Sequence, residues 1–258
     1  MSIPEDFRRE RESQVKLMSS DPEFSALSQR WLQESMQRRY VYNFDWLGRP
    51  IIQYPQDIVA VQELIWQVQP DLIIETGIAH GGSLVFSASM LALLDLAEAA
   101  RADQTLNPRS SRRKVIGVDI DIRPHNRSAI ESHPFNGYIQ MIQGSSIDQE
   151  IVEQVREVAQ RHERILVLLD SMHTHSHVLA ELEAYAPLVS SGSFCVVFDT
   201  FVQNMPHGFF ADRPWDVDNN PMTAVSQWLK QHQEFEVVSD WPDKLMVTVA
   251  PGGFLRRK

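Results

Sequence analysis

Four short apolar runs in this sequence each lead into an acidic residue, and no other feature limits the fold as strongly. Strands are predicted at 71–75, 115–118, 165–169 and 194–198, and the acids at their ends are Glu75, Asp119, Asp170 and Asp199. Helical periodicity separates the runs, which predicts a parallel, doubly wound α/β sheet covered on both faces. Ligands bind beyond the carboxyl ends of such strands, so all four acids are expected around one crevice.

The first of these strands leads into a glycine turn and then an apolar helix, Leu84–Leu94. This arrangement lets backbone approach a nucleotide-like ligand. The spacing is not G-x-G-x-x-G, and no Lys follows the last glycine, which excludes the usual dinucleotide and triphosphate loops. An acid two residues before the first glycine would repel a pyrophosphate and suits a cationic, hydroxyl-bearing ligand. S-adenosylmethionine is therefore the expected cofactor, and His80 and Gly81 are candidates to touch it through their position in the glycine turn.

Bulk properties exclude several classes of protein. A chain of 258 residues with 43% hydrophobic content is long enough for one α/β domain with a full core. A net charge of −10 argues against nonspecific nucleic-acid binding, which needs basic patches. The single Cys195 excludes a disulfide scaffold, and no run approaches 18 uninterrupted apolar residues. With no signal segment after Met1, the sequence predicts a cytoplasmic protein without a membrane span.

One region is predicted to lie outside the sheet domain, at the N-terminal side. Residues 1–55 carry balanced charges around sparse apolar positions, which predicts an N-terminal helical cap before a cofactor-binding domain at 56–258. Aromatic residues cluster at 40–46, and they either pack the cap onto the core or contribute to a substrate or subunit surface, as in a homo-oligomer. Further expectations concern connecting and closing segments: a mobile surface loop at 95–114, a lid at 201–219, and closing strands at 235–238 and 244–249 that bring the sheet to seven strands.

The acids at the second, fourth and fifth strands suggest different tasks. Asp119 stands where an acid can accept hydrogen bonds from both ribose hydroxyls. Gly144, Ser145 and Ser146 follow the third strand, at 138–142, and either approach the adenine edge or form a simple turn. Asp170 and Asp199 suit a hard cation such as Mg²⁺, although each could instead cap a helix. His173 lies three residues after Asp170, where a neutral imidazole can act as a general base.

The histidine-rich run 170–177 permits a second interpretation. His173 and His177 are four residues apart, so on a helix they would share a face and could bind Zn²⁺ with Asp170. The spacing is no standard zinc signature, and His175 and His177 are expected as exposed residues of a first helical turn. His207, in the predicted lid, is a candidate for the lining of a substrate pocket.

Several longer motifs resemble one known family. The segments 42–53, 75–83, 117–127 and 168–173 are similar to those of the cephalosporin hydroxylase/rhamnosyl O-methyltransferase family, which has a class I S-adenosylmethionine-dependent methyltransferase fold. The resemblance implies cofactor contacts at Glu75, Gly77, Ser83 and Asp119, with Ser145 or Ser146 near the adenine. It also implies Mg²⁺ at Asp170 and Asp199, with Asp170 at the edge of the cofactor site and His173 as the base.

One departure from the family pattern affects the metal site. Relatives often place an acid immediately before the second metal Asp, whereas this chain has Phe198 there. Thr200 follows that Asp and would offer a hydroxyl as a further ligand, so Mg²⁺ is expected to bind more weakly. The hypothesis is an O-methyltransferase acting on a small acceptor, such as a glycoside or glycolipid. The alternatives are a non-catalytic S-adenosylmethionine-binding partner protein and a Zn-dependent hydrolase.

Overall fold

The computed structural model describes residues 3–258, and its N-terminal part is helical. Helix α1 (Glu5–Ser20) and helix α2 (Pro22–Gln37) are joined at Asp21, whose carboxylate caps α2 by accepting from the backbone N–H groups of Glu23 and Phe24. A hairpin of β1 (Phe44–Trp46) and β2 (Arg49–Ile51) follows. The two helices confirm the amphipathic pattern, but the hairpin was not predicted.

The remaining elements form one seven-stranded sheet with helices between the strands. They are α3 (Pro55–Val68), β3 (Leu72–Thr76), α4 (Gly82–Ala102), β4 (Lys114–Asp119), α5 (Pro124–Glu131), β5 (Ile139–Gln143), α6 (Gln149–Ala159), β6 (Ile165–Leu169), α7 (His175–Tyr185), β7 (Phe194–Val197), α8 (Pro221–Trp228), β8 (Phe235–Val237), α9 (Asp240–Leu245) and β9 (Phe254–Arg257). The strand order is β5-β4-β3-β6-β7-β9-β8, and β9 is antiparallel to both its neighbours. The predicted mostly parallel α/β sheet is confirmed.

The central strands are buried on both faces, which explains why their sequences read as continuous apolar runs. Leu72 and Ile74 of β3 pack into the core on one side of the sheet, and Ile73 packs into the core on the other. Every residue of β3 and β6 is buried. The order of strands reverses direction between β3 and β6, so a crevice opens at their carboxyl ends.

The expected mobile loop at 95–114 is wrong. Helix α4 continues to Ala102, because four of the eight residues at 95–102 are Ala, the strongest helix former. Arg113, near the end of the remaining loop, is only 4% exposed. Its guanidinium pairs with Asp95 at 3.0 Å and also with Glu98, and it donates to the Pro70 carbonyl. This buried ion pair fastens the loop to α4.

The expected closing strand at 244–249 is also wrong, because the last strand is β9 at 254–257. The buried carboxyl of Asp57 accepts hydrogen bonds from the Thr248 hydroxyl and the Val249 N–H, which hold this segment away from the sheet. Gly253 then allows the chain to approach β7, since a Cβ at that position would lie 2.1 Å from the Val197 carbonyl oxygen. The sequence signal for a strand was therefore overridden by a side-chain contact with α3.

Helix α4 is long and apolar enough, by length and composition, to cross a membrane. Half of its most apolar stretch is buried within the fold, and the helix packs against β4 and β5. The core helix of a soluble α/β protein has the same character, and this contact with the sheet accounts for the apolar sequence of α4.

We expect Gly82→Ala to destabilise the protein by about 1–3 kcal/mol, because overpacking of a close contact forces backbone to move. A Cβ on Gly82 would lie 2.2 Å from the carbonyl oxygen of Pro50 in the hairpin. Gly137→Ala is the matched control, since a Cβ there meets nothing within 4 Å. Urea unfolding of both variants measures the difference, and equal unfolding free energies would contradict the close packing of the hairpin on α4.

Candidate functional site

A cavity of 410 Å³ opens at the carboxyl ends of β3, β4 and β6. Its walls come from six parts of the chain: the end of the hairpin, the glycine turn after β3, the end of β4, the loop after β5, the segment from Asp170 into α7, and the segment 212–215. The site residues that the sequence predicted and that line this cavity are Gly77, His80, Ser83, Asp119, Ser145, Ser146 and Asp170. The crevice expected from the sheet topology is therefore present.

Close approach of two backbones explains the first glycine of the turn. Gly77 has φ of 89°, and a Cβ there would lie 2.1 Å from the carbonyl oxygen of Asp170. Gly81, at the N-cap of α4, has φ of 84° and lies directly against Ile130. Both positions require glycine for conformation and for space. The loops after β3 and β6 can thus touch, which places the glycine turn beside Asp170.

Asp119 holds the glycine turn in place. Its Oδ2 accepts from the backbone N–H groups of Ile78 at 2.7 Å and Ala79 at 3.1 Å, and its Oδ1 accepts from Asp121 N–H at 3.0 Å. A carboxylate has about four lone-pair positions, so acceptor capacity remains on the side facing the cavity. A contact with ribose hydroxyls is compatible with this geometry and stays a prediction.

Two residues without a predicted role support the same turn from outside. Arg49, in the hairpin, donates from Nε to the His80 carbonyl at 3.0 Å and from Nη2 to the Asn126 side chain at 3.0 Å. Asn126, on α5, donates to the Ala79 carbonyl at 3.0 Å. Arg49 lies in the motif 42–53 and Asn126 in the motif 117–127, but neither motif indicated a contact with the glycine turn.

Glu75 lies behind the main cavity rather than in its lining. Its carboxyl is buried in a small cavity shared with Ser87 and Phe198, and Ser83 separates it from the larger space. Burial raises the pKa of Glu75 to about 8, although hydrogen bonds from Ser83 and Ser87 oppose the shift. A carboxyl that is mostly protonated at neutral pH repels a pyrophosphate only weakly. Discrimination against phosphates therefore falls to the glycine spacing.

Asp170, His173 and Asp199 form one cluster, with one ligand atom from each lying within 4.8 Å of the others. His173 Nε2 lies 3.1 Å from Asp199 Oδ2. Burial raises the pKa of Asp170 and Asp199, and for Asp170 the neighbouring Asp199 charge adds to the rise. Burial lowers the pKa of His173, which keeps the imidazole neutral. Two crowded carboxylates and a neutral imidazole form a suitable donor set for a divalent cation.

The structure does not bring Thr200 to this cluster. Its hydroxyl donates to the Pro251 carbonyl at 2.7 Å, and its side chain is fully buried. Phe198, at the position where the resemblance implies an acid, is buried beside Glu75. Asp199 adopts φ of 56°, a left-handed conformation that Asp tolerates better than most residues. The turn after β7 thus directs Asp199 toward His173.

His173 and His177, the two histidines predicted to bind zinc with Asp170, do not share a helix face. His173 precedes α7, whereas His175 Nδ1 lies 2.8 Å from the Thr223 hydroxyl. His177 is in the cavity wall, 3.0 Å from Ser146 Oγ, and is not the exposed helix residue that was expected. His207 is 76% exposed, pairs with Asp216 and does not line the cavity. The zinc-hydrolase interpretation loses its ligand set.

The predicted lid covers one side of the cavity through its residues 212–215. The Trp215 ring meets the His173 ring edge to face, with centroids 4.7 Å apart. The Arg213 guanidinium lies 5.3 Å from the Trp215 ring centroid. An aromatic face and a cation therefore stand above the cluster of Asp170, His173 and Asp199, although the sequence marked this segment only by its lack of periodicity.

Comparison with known proteins identifies relatives along most of the chain. The family model described as rhamnosyl O-methyltransferase/CmcI matches residues 38–258. The rhamnosyl O-methyltransferase of Mycobacterium tuberculosis is 26% identical over 209 residues, which cover 78% of this chain and 73% of the relative. The rhamnosyl O-methyltransferase of Mycobacterium leprae is also 26% identical, over 215 residues that cover 83% of this chain and 82% of the relative.

Solved structures of CmcI have the same fold. A CmcI structure with Mg and SAM superposes with a TM-score of 0.55 and 17% identity, covering 84% of this chain and 77% of that chain. An apo structure of CmcI gives a TM-score of 0.53 and 18% identity, with coverage of 84% and 76%. These similarities agree with the strand order and helix placement described above.

The raised pKa of Glu75 predicts a pH-dependent stability that Glu75→Gln removes. Between roughly pH 5 and 8 the folded protein keeps a proton that the unfolded chain has lost, so this group's contribution to the unfolding free energy falls as pH rises, by up to about 1.4 kcal/mol per pH unit. We expect the variant to gain stability relative to the wild type across that window. Urea unfolding from pH 5.5 to 8.5 measures this gain, and a constant difference would contradict it.

Proposed function

We propose that this chain, which belongs to the rhamnosyl O-methyltransferase/CmcI family, methylates a hydroxyl group of a sugar or natural-product acceptor. Family and fold make it an S-adenosylmethionine-dependent O-methyltransferase. The acceptor, the metal, the base and the site residues are our proposals. The observation that carries them is the single cavity in which the glycine turn and Asp170 share a wall, beside His173 and Asp199.

The cofactor would lie along the glycine turn. Gly77 and Ser83 leave room for its amino-acid part, and the acceptor position that remains on Asp119 would take a hydrogen bond from a ribose hydroxyl. The apolar side chains of Ile120 and Met172 line the same cavity and offer surfaces for the flat adenine, beside Ser145 and Ser146. His80 and Gly81 complete the turn, whose shape is fixed by Arg49 and Asn126.

Asp170 and Asp199 would hold Mg²⁺, as their donor chemistry and crowded charges fit such an ion. When bound, the ion would supply a positive charge that lowers the pKa of an acceptor hydroxyl. Phe198 has no side-chain oxygen, and the Thr200 hydroxyl is bonded to the Pro251 carbonyl, so the site offers two carboxylates. We expect it to bind Mg²⁺ more weakly than a site with three carboxylates.

His173 is the proposed general base. A neutral imidazole that donates from Nε2 to Asp199 keeps Nδ1 as an acceptor. His173 would take the acceptor's hydroxyl proton, and the acceptor oxygen would then form a bond to the methyl carbon. The carbon–sulfur bond breaks and its electron pair remains on sulfur, leaving S-adenosylhomocysteine. Alignment of the two reactants in one cavity would supply much of the rate enhancement.

The lid residues are suited to bind the acceptor. Trp215 offers an aromatic face of the kind that packs on the apolar face of a sugar ring, and Arg213 offers donors to acceptor oxygens. Since both residues lie close to His173, an acceptor held by them would present its hydroxyl to the base. A glycoside or glycolipid is the proposed class of acceptor.

Transfer of labelled methyl groups tests the proposed activity. Purified full-length protein would be incubated with labelled S-adenosylmethionine and a set of rhamnosyl and other glycosides, with and without Mg²⁺. We expect label in a glycoside. Binding of S-adenosylhomocysteine with no transfer to any acceptor, under any metal condition, would instead favour a non-catalytic cofactor-binding protein.

Removing the base is expected to lower turnover while leaving cofactor binding intact. We expect His173→Ala to reduce kcat by about 10²–10⁴-fold, the usual contribution of a general base. Affinity for S-adenosylhomocysteine, measured by calorimetry, should change little. His162→Ala is the control, because His162 contacts the Val158 and Arg112 carbonyls near the amino ends of the strands, opposite the cavity. Full turnover in His173→Ala would exclude this residue as the base.

A further inference from the structure

A second polar cluster lies in the cavity wall, apart from the cluster of Asp170, His173 and Asp199. Glu181, on α7, is fully buried, and its Oε1 accepts from Ser146 Oγ at 2.5 Å and from Ser171 Oγ at 2.7 Å. His177, one turn earlier on the same helix, lies 3.0 Å from Ser146 Oγ. Ser146, Ser171 and His177 line the cavity, whereas Glu181 stands behind them.

This arrangement fixes the polarity of the two serines. A hydroxyl has one proton to donate, and both protons are directed to Glu181 when His177 is the tautomer that carries its proton on Nε2 and donates to Ser146. Toward the cavity, Ser146 and Ser171 can therefore only accept. The second carboxyl oxygen of Glu181, Oε2, is buried and has no hydrogen-bond partner among residues 3–258, so the cluster has no shortage of acceptors. A ligand that fits this wall must bring donor groups.

We propose that Glu181 is a positioning residue that turns Ser146 and Ser171 into acceptors for the exocyclic amino group of the cofactor's adenine. The inference rests on the proposed function, and it explains chemically how the site would select a cofactor that carries adenine over one that carries a 6-oxo base. An adenine amino group has two N–H donors, which match two serine acceptors. A 6-oxo base presents an acceptor at the same place, which leaves buried lone pairs facing each other unpaired.

The pair of S-adenosylhomocysteine and S-inosylhomocysteine, which differ at this position, tests the selection directly. Calorimetric titration of the full-length wild type should give a dissociation constant about 10- to 100-fold lower for the adenosyl compound, the range expected when a buried polar group loses its partner. Equal affinity for the two compounds would overturn the inference. A wild type that binds neither compound would instead overturn the proposed function itself.

Glu181→Gln separates positioning from simple structural support. The amide can donate to one serine and so releases a hydroxyl proton toward the cavity, and we expect the preference for adenosyl over inosyl to fall below about 3-fold. A loss of packing alone would weaken the binding of both compounds equally and leave the ratio of their dissociation constants unchanged. That result would overturn the role of Glu181. Glu183→Gln is the matched control on the same helix, since Glu183 is 55% exposed and pairs with His232.

A second variant keeps the test decisive if Glu181→Gln does not fold. Ser171→Ala removes one acceptor at a half-buried position and leaves the Ser146–Glu181 hydrogen bond in place. We expect it to lower the adenosyl preference several-fold, with little effect on inosyl affinity. An unchanged ratio of the two affinities in this variant would overturn the assignment of Ser171.

Discussion

The site depends on one close contact between backbones, that of Gly77 with the carbonyl of Asp170. A Cβ at position 77 would lie only 2.1 Å from the carbonyl oxygen of Asp170, which is far closer than a van der Waals contact. The two loops would have to move apart to make room for it. With glycine, the turn after β3 and the loop after β6 form a continuous wall. The proposed methyl donor and the cluster of Asp170, His173 and Asp199 can then share one space, as a direct transfer requires.

Around this contact the site has rigid and less regular parts. The glycine turn donates hydrogen bonds to Asp119 and accepts them from Arg49 and Asn126, and the proposed adenine side is held by the buried Glu181. The proposed acceptor side, by contrast, is formed by a segment without helix or strand around Trp215. An ordered wall suits the proposed methyl donor, which is the same in every reaction, while an irregular segment is the usual place for differences in binding specificity.

The sheet could be predicted because its signals are local. β6 was located to the residue, since Ile165–Leu169 is a continuous apolar run bounded by a polar segment and an acid. The contacts that support the site could not be predicted, because they join residues that are distant in sequence. Arg49 donates to the His80 carbonyl, and Ser146 donates to Glu181. Closeness in sequence was also misleading in one case. Thr200 follows Asp199 directly, yet its hydroxyl donates to the Pro251 carbonyl and not to the cluster.

The hairpin gives the N-terminal segment a part in the cavity wall. Pro50 and Gln53 line the cavity, the Pro50 carbonyl fills the space over Gly82, and Arg49 fixes the turn. The sheet and helices that begin at α3 therefore enclose the cavity only together with the segment that precedes them. Replacement of this segment by an unrelated one would therefore alter the cavity itself as well as its surroundings.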